Sequence, residues 1–161
     1  MNIDKHALVR SLLASLQAEI ARATEAANRS RHDATHDEAR PENDKDTRAL
    51  ETSYLARGQA LRVVDLEEAE RKVRFMVVRD FAADDAIDLS ALIELESDEG
   101  THVYLLVPSG GGRTLEQAGV SVDVLTPEAP LGRALVGRSA GDDLELRIGA
   151  RVRELTIVRV R

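Results

Sequence analysis

The spacing of hydrophobic residues changes once along the chain, close to Arg74, and this change limits the folds that are open to it. Before Arg74, apolar residues recur every three or four positions, as in amphipathic helices. After it, they alternate in short β-branched runs separated by turn residues, as in strands. The pattern predicts an α+β protein with a helical part, residues 1–74, followed by a β-rich part, residues 75–161.

The first helix is predicted from Asp4 to about Ser30, a stretch without Pro or Gly. Its apolar residues alternate between spacings of four and three, which is a heptad pattern. They are Val9, Leu13, Leu16, Ile20, Ala23 and Ala27. A helix with such a stripe needs a partner that buries it.

A second helix, predicted from about Thr47 to Lys72, supplies that partner. Its clearest seam is Leu50, Tyr54, Leu61 and Val64, with Leu55, Ala56, Ala60 and Val63 beside it. Gly58 should destabilise this helix by about 1 kcal/mol relative to Ala. Residues 31–46 between the helices are almost wholly polar, and Pro41 disfavours a helix through the residue before it. We therefore predict an antiparallel coiled-coil hairpin with an acidic tip near residues 31–46.

The C-terminal part is predicted to be a β-rich domain with one short helix. Leu131–Val136 is assigned to the helix because it follows Pro130 and ends at Gly137, an order typical of helix boundaries. The candidate strands are Val73–Arg79, Leu89–Glu96, His102–Val107, Val120–Leu125, Leu144–Ile148 and Val152–Val160. Ser109–Thr114 lacks the spacing of a phosphate-binding loop, so a flexible hairpin loop is predicted there.

Composition argues against several classes of function. The formal net charge is −7, with 13 basic and 14 acidic residues in 1–75 but 9 and 15 in 76–161, which disfavours a general affinity for nucleic-acid phosphates or anionic lipid. Aromatic residues make up 2% of the chain, too few for base stacking. The chain has no Cys, no signal-peptide core and no apolar run near the roughly 20 residues that span a bilayer, so a cytoplasmic protein is predicted.

The segment APLGRALVGRSAGDDLELR, residues 129–147, resembles the carboxy-terminal domain of the Gre transcript-cleavage factors, GreA and GreB. In that family an "SP-(I/L/M)-(G/A)-RAL-(I/L)-GK…GD-(E/D)" segment forms the short helix and the strand after it. The matching residues are Pro130, Leu131, Gly132, Arg133, Ala134, Leu135, Gly137, Gly141 and Asp142. The ending RELTIVRV is similar to the closing strand of the family.

The resemblance implies an FKBP-like fold for residues 75–161 and a factor that binds RNA polymerase near the rim of its secondary channel. Glu128, Pro130, Leu131 and Arg133 become the candidate partner-binding residues. The hairpin would reach the polymerase active site, where its tip modulates elongation. Such a chain is an accessory factor rather than an enzyme on its own, and it is expected to be a monomer without a tightly bound cofactor.

The tip is where the chain departs from the family, whose "GD-L-x-EN-A-E-Y" segment carries an Asp and a Glu that help hold Mg²⁺ for RNA cleavage. Aligning the LAR of residues 55–57 with the family's "A-A-(K/R)" places Asp46 at that Asp but Ala49 at that Glu. Glu42, Asp44 and Asp46 are the candidate catalytic acids, and Asp44 and Asp46 would share Mg²⁺ with the polymerase, because this ion needs only one or two protein carboxylates. Asp44 and Asp46 also suit the cap of the second helix.

One alternative function remains open from the sequence, namely a regulator that occupies the secondary channel without promoting cleavage. DksA-type factors also carry an acidic coiled-coil tip, which the DTRALE of Asp46–Glu51 loosely resembles. A prolyl isomerase is disfavoured, because the few aromatic residues are too scattered to line a pocket. His32 and His36 have the spacing of a zinc-binding pair but no obvious third ligand, so no intrinsic metal site is predicted.

Overall fold

The computed structural model describes residues 3–38, 46–82, 84–149 and 151–161, and it begins with two long helices. Helix α1 spans Lys5–Glu38 and helix α2 spans Asp46–Arg74. Three side-chain bonds between them show that they run antiparallel: Gln17 to Glu70 at 3.2 Å, Arg62 to Glu19 at 2.5 Å and Ser30 to Gln59 at 3.0 Å. The predicted fold class, a helical hairpin followed by a β-rich part with one short helix, is confirmed.

Helix α1 is longer than predicted, because it continues through residues 31–38, which the sequence assigned to a polar connection. These residues, RHDATHDE, include neither Pro nor Gly, and several of them are good helix formers. Arg31 and His32 are exposed on the helix. A polar stretch in the sequence therefore does not mark the end of this helix.

The contact between the helices does not follow the predicted seam of α2. Tyr54, Leu61 and Val64 are each more than half exposed. Among the side chains of α2 that the structure describes, Leu66, Ala69 and Val73 are buried, and Ala56, Gln59, Ala60, Val63 and Glu70 are half-buried. On α1 the predicted seam is confirmed, since Leu16 is buried and Ile20, Ala23 and Ala27 are half-buried. Ala56, Ala60 and Val63, which the sequence places beside the seam, thus lie closer to the contact than the seam itself, and alanines let two helices approach closely.

The chain divides into two compact units, Ala14–Glu70 and a second unit that combines Met1–Leu13 with Arg71–Arg161. In the second unit the Asp4 amide donates to Gln117 Oε1 at 2.8 Å, and Gln117 Nε2 donates to the Asp4 carbonyl at 3.2 Å. Leu8 and Leu12 are buried. The start of α1 therefore takes part in the packing of the β-rich unit. The predicted boundary at residue 74 divides the chain into two parts that would fold independently, and independent folding stays a prediction.

A six-stranded sheet forms the body of the second unit. Its strands are β1 (Leu92–Ser97), β2 (Gly100–Leu106), β3 (Thr114–Gln117), β4 (Val120–Leu125), β5 (Asp143–Ile148) and β6 (Arg151–Val160). They lie in the order β3-β4-β2-β1-β6-β5, with β2 and β4 parallel and the other neighbours antiparallel. The sequence does not predict β3, because its TLEQ stretch has a single apolar residue.

Alternation along the strands gives the sheet two apolar faces. One face forms a core with helix α3, Pro130–Leu135, whose Leu135 is fully buried. This core includes Ile93, Leu95, Leu106, Leu144, Leu155 and Ile157. The register places Leu92 beside Leu105 and Val103 beside Val122 on the opposite face, and these four are also buried. Apolar side chains on both faces of the sheet are therefore buried from solvent.

Two local predictions for this unit are wrong. Val73–Arg79 is not a strand, because α2 continues to Arg74 and residues 75–80 follow it without regular secondary structure. Ser109–Thr114 is not a hairpin loop, since the strand after it, β3, pairs with β4. The loop is held by the Arg113 guanidinium, which donates to the Gly110 carbonyl at 2.7 Å. Neither a run of β-branched residues nor a run of glycines determines by itself whether a segment pairs with a strand, or with which one.

Candidate functional site

Four residues that the sequence nominates for partner binding lie at α3 and the turn before it. Pro130 begins the helix, Leu131 and Arg133 follow within it, and Glu128 precedes it by two residues. Leu131 is partly buried against the core of the sheet. Glu128, Pro130 and Arg133 are exposed, and we name these three residues the α3 face. Leu131 therefore helps to hold the helix, while the α3 face is open to a partner.

Gly132 allows α3 to lie directly on the preceding turn. It is buried, and a Cβ atom in its place would overlap the carbonyl oxygen of Thr126 and lie 3.1 Å from Pro127 Cα. The turn is closed by the Ala129 amide, which donates to the Thr126 carbonyl at 3.1 Å. A side chain at position 132 fits only if backbone moves, which a closely packed interior resists. The glycine of the Gre-like segment thus sets how the α3 face is presented.

The C-terminal end of α3 is tied to a segment distant in sequence. Gly137 has φ +82°, a conformation that glycine adopts at little cost after a helix. Its amide donates to the Ile87 carbonyl at 2.9 Å, and the Ile87 amide donates to the Arg138 carbonyl at 2.7 Å. This reciprocal pair of bonds restrains the helix end.

Gly141 and Asp142 have a similar structural role just before β5. The Gly141 amide donates to the Ile157 carbonyl at 2.7 Å, and the Ile157 amide donates to the Asp142 carbonyl at 2.9 Å. The Asp142 carboxylate accepts a bond from the Ser139 amide at 3.0 Å. Most residues that match the Gre segment therefore build the fold. Among those matches, Pro130 and Arg133 are exposed, as are the two glycines that shape the backbone, Gly137 and Gly141.

Val136 is a further candidate for partner binding, beside the four residues that the sequence nominates. It is 44% exposed and follows Arg133 by three residues. Side chains three positions apart lie on one side of a helix, so Val136 adds an exposed apolar side chain beside the α3 face. The sequence signal for Val136 is its place next to the helix-ending Gly137. Capping does not require an apolar side chain at that position.

Lys5 anchors the first turn of α1 within the β-rich unit. It is 8% exposed, and its ammonium group donates to the Arg79 carbonyl and lies 5.0 Å from the centre of the Phe81 ring. The Arg79 guanidinium covers the same ring at 4.4 Å. Burial lowers the pKa of Lys5, and the nearby Asp80 carboxylate opposes this shift. These partners are satisfied within the fold, so we assign Lys5 a structural role.

The three tip acids differ in where they fall. Glu42 and Asp44 lie outside the described residues, and Asp46 is the first residue of α2. Among the residues that the structure describes, no group of three or more His, Asp or Glu side chains is arranged to hold a metal ion. Over the same stretches, no helix is long and apolar enough to cross a membrane. An Mg²⁺ shared through Asp44 and Asp46 stays a prediction.

No protein-family model and no curated protein matches the chain, whereas several solved structures are similar to it. A structure of the transcription factor Gfh1 is 20% identical, with 92% of each chain covered and a TM-score of 0.41. Gfh1 of Thermus aquaticus is 16% identical at the same coverage, with a TM-score of 0.40. The transcription elongation factor GreA/GreB from Nitrosomonas europaea is 20% identical over 59% of this chain and 77% of that one, with a TM-score of 0.36.

Proposed function

We propose that the chain is a Gre-like factor that binds RNA polymerase at its secondary channel and modulates elongation. The observation that carries the proposal is the division of the Gre-like segment into two sets of residues. Gly132, Leu135 and Gly137 build α3 and its surroundings. Pro130 and Arg133 match the same motif but are exposed. Pro130 also begins α3, whereas Arg133 has no role within the fold, and a surface residue of that kind that fits a family motif is explained most simply by a shared partner.

The chemistry of the α3 face suits contact with another protein. It combines a carboxylate, a proline ring and a guanidinium, and the exposed Val136 lies beside it. Arginine and apolar side chains are typical anchors of protein interfaces, whereas isolated carboxylates mainly steer and orient a partner. Because Gly132 and Gly137 fix the helix at both ends, little conformational entropy is lost when it binds. These features support Glu128, Pro130 and Arg133 as the rim-binding residues.

The helical hairpin supplies the reach that the role requires. Helix α2 has 29 residues and is therefore about 44 Å long at a rise of 1.5 Å per residue. Helix α1 runs antiparallel to it within Ala14–Glu70. Glu38 and Asp46, which end and begin the helices, consequently lie at the same end of the hairpin. In sequence the acids Glu42 and Asp44 fall between them.

The cleaving form of the proposal gives the tip acids a direct role in the polymerase active site. Mg²⁺ accepts carboxylate oxygens beside water and substrate phosphate. Asp44 and Asp46 would help hold a shared Mg²⁺, with Glu42 adding a third acid to the cluster. The chain itself then contributes ligands and charge, and the polymerase contributes the reacting centre.

A non-cleaving regulator is the second candidate, and Ala49 is the observation that favours it. Ala49 occupies the position of the family's tip Glu when residues 55–57 are aligned. A tip with one acid fewer at its usual place would still fill the channel, but it would hold the metal ion less well. In this form the factor inhibits synthesis and does not shorten RNA.

Binding is tested by competition between the full chain and a Gre factor for RNA polymerase. The double substitution Glu128→Arg with Pro130→Ala should weaken binding by at least about tenfold, roughly 1.4 kcal/mol. Glu145→Arg, a charge reversal at an exposed position of β5, is the matched control and should bind as the unchanged protein does. Unaltered affinity of the double variant would rule out the α3 face as the contact.

The two forms of the proposal are separated by adding the protein to a backtracked polymerase complex. Shortening of the nascent RNA supports the cleaving factor. Inhibited synthesis with RNA of unchanged length supports the regulator.

A further inference from the structure

The outer side of α2 carries an apolar stripe that the hairpin does not bury. Tyr54 is 69% exposed, Leu61 56% and Val64 57%. The hairpin contact lies on another side of the helix, where Gln59 bonds to Ser30 and Leu66 is buried. Several large apolar side chains exposed along one helix mark a contact surface.

Gly58 lies in the middle of this stripe, four residues after Tyr54 and three before Leu61. Glycine inside a helix is unfavourable relative to alanine. The monomer gives no steric reason for it, since a Cβ atom at position 58 would meet no atom of the described residues within 4 Å. The missing side chain leaves a notch between larger neighbours, and such a notch allows another chain to approach closely.

The surface repeats with the spacing of a coiled-coil seam. Its central positions are Tyr54, Gly58, Leu61 and Asp65, at intervals of four, three and four. All four are exposed. We name this set the Gly58 seam. It faces away from the Ser30–Gln59 contact of the hairpin, so it is free to form a second helix pair without opening the first.

We propose that a second copy of this chain binds the Gly58 seam, so that two α2 helices pair in antiparallel orientation. A two-fold axis level with the midpoint of Gln59 and Ala60 places Gly58 opposite Leu61 of the other copy and Tyr54 opposite Asp65 of the other copy. Each Leu61 then fills the notch at the other copy's Gly58. Each Tyr54 hydroxyl can donate to the other copy's Asp65 carboxylate.

The seam is complementary to itself in this orientation and not in the parallel one. Parallel pairing would place Asp65 against Asp65 and Leu61 against Leu61, which leaves both notches empty and brings like charges together. In the antiparallel arrangement each Leu61 fits the notch at the other copy's Gly58. Each Tyr54 hydroxyl also meets the other copy's Asp65 carboxylate. This matching within one short sequence is what points to a second copy of the chain as the occupant.

The size and charge of the seam set the strength of the association. Tyr54 to Asp65 covers about 17 Å of helix, so the surface is smaller than the roughly 800 Å² per partner of a standard stable interface. The net charge of −7 on each copy adds repulsion, which salt screens. A weak, reversible dimer is therefore expected, and it should strengthen as salt is raised. The inference does not depend on the proposed function.

Sedimentation equilibrium of the full chain from about 1 µM to about 1 mM tests the proposal. The average mass should rise from 17.6 kDa towards twice that value. Leu61→Glu should weaken association at least about tenfold, because a charge replaces the side chain that fills the notch. Thr24→Glu, which adds the same charge at an exposed position of α1, should leave association unchanged.

Gly58→Ala gives a sharper test because it is expected to have two opposite effects. The melting temperature of the dilute monomer should rise by about 2–4 °C, since alanine favours the helix. Association should weaken at least about fivefold, since the notch is filled. Asn28→Ala, at an exposed position of α1, should raise the melting temperature without affecting association.

Three results would overturn the proposal. One is a mass of 17.6 kDa at every concentration in both low and high salt. Another is a Gly58→Ala variant that associates as well as the unchanged chain. The third is a Leu61→Glu variant that associates as strongly as the unchanged chain but binds RNA polymerase more weakly. That result would assign the Gly58 seam to contact with the polymerase.

Discussion

Two helices of this chain contain nearly the same four residues, Gly58-Gln-Ala-Leu61 in α2 and Gly132-Arg-Ala-Leu135 in α3, in opposite surroundings. In α3, Leu135 is fully buried and a Cβ atom at position 132 would overlap the backbone of Thr126. In α2, Leu61 is exposed and Gly58 faces open space. The pattern alone does not determine the role of either residue. The role of each residue depends on which other segment of the chain packs against its helix.

The comparison predicts that α3 keeps its environment when the hairpin is removed. The core that contains Leu135 is formed by residues between Phe81 and Val160. A fragment of residues 72–161 should therefore melt cooperatively. Its melting temperature should be lower by more than about 10 °C, because the buried Leu8 and Leu12 are lost with residues 1–13.

Calorimetry of this fragment, with and without a peptide of residues 1–13, makes the measurement. The peptide should raise the melting temperature, because these residues belong to the β-rich unit. A peptide with its two leucines replaced by serine is the control and should have no effect. A fragment without any cooperative transition would show that the boundary at residue 74 does not separate folding units.

The two leucines should differ strongly in their contribution to stability. Leu135→Ala removes a fully buried side chain from the core and should lower the free energy of unfolding by about 2–5 kcal/mol. Leu61→Ala at an exposed site should change it by no more than about 0.5 kcal/mol in dilute protein. Urea denaturation of both variants gives the comparison. Equal losses would mean that the outer side of α2 is covered in solution.

The two glycines should respond to the same substitution with opposite signs. Gly132→Ala forces a Cβ atom onto the Thr126 carbonyl and should lower the free energy of unfolding by about 1–3 kcal/mol. Gly58→Ala should raise it by about 1 kcal/mol. Both effects are read from urea denaturation at low protein concentration. A stabilised Gly132→Ala variant would contradict the close contact of α3 with the turn before it.

Local patterns were sufficient to predict the elements whose formation depends on nearby residues. β4 is predicted at Val120–Leu125, where it is observed, and α3 is predicted one residue from its observed start at Pro130. Period-two alternation and a Pro-to-Gly helix signature act over a few residues, so no distant partner needs to be known.

The features that depend on distant partners could not be predicted in this way. β3 forms because β4 offers it an edge, although TLEQ has little strand character. Val73–Arg79 has a β-branched run but no strand. Tyr54 and Leu61 have seam spacing, yet Ala56 and Ala60 lie nearer the hairpin contact. In the candidate site the exposure of Pro130 and Arg133 follows from a short helix on a sheet, whereas the need for Gly132 arises from Thr126, which no helix pattern includes.

The smallest effect on stability, combined with a large effect on activity, is predicted for the acidic tip. Carboxylates near a weakly held Mg²⁺ stabilise it, whereas Asn keeps most of the shape and capping ability of Asp but loses the charge. Asp44→Asn combined with Asp46→Asn should therefore change the free energy of unfolding by a few tenths of a kcal/mol and leave polymerase binding intact. Transcript cleavage, or inhibition if the chain is a non-cleaving regulator, should fall at least about tenfold, equivalent to roughly 1.4 kcal/mol in the activation barrier. Glu67→Gln, at an exposed position of α2 outside the tip segment, is the control for loss of an acidic charge from the hairpin and should retain activity. Full activity together with a lowered melting temperature would mean that the tip acids serve only as helix caps.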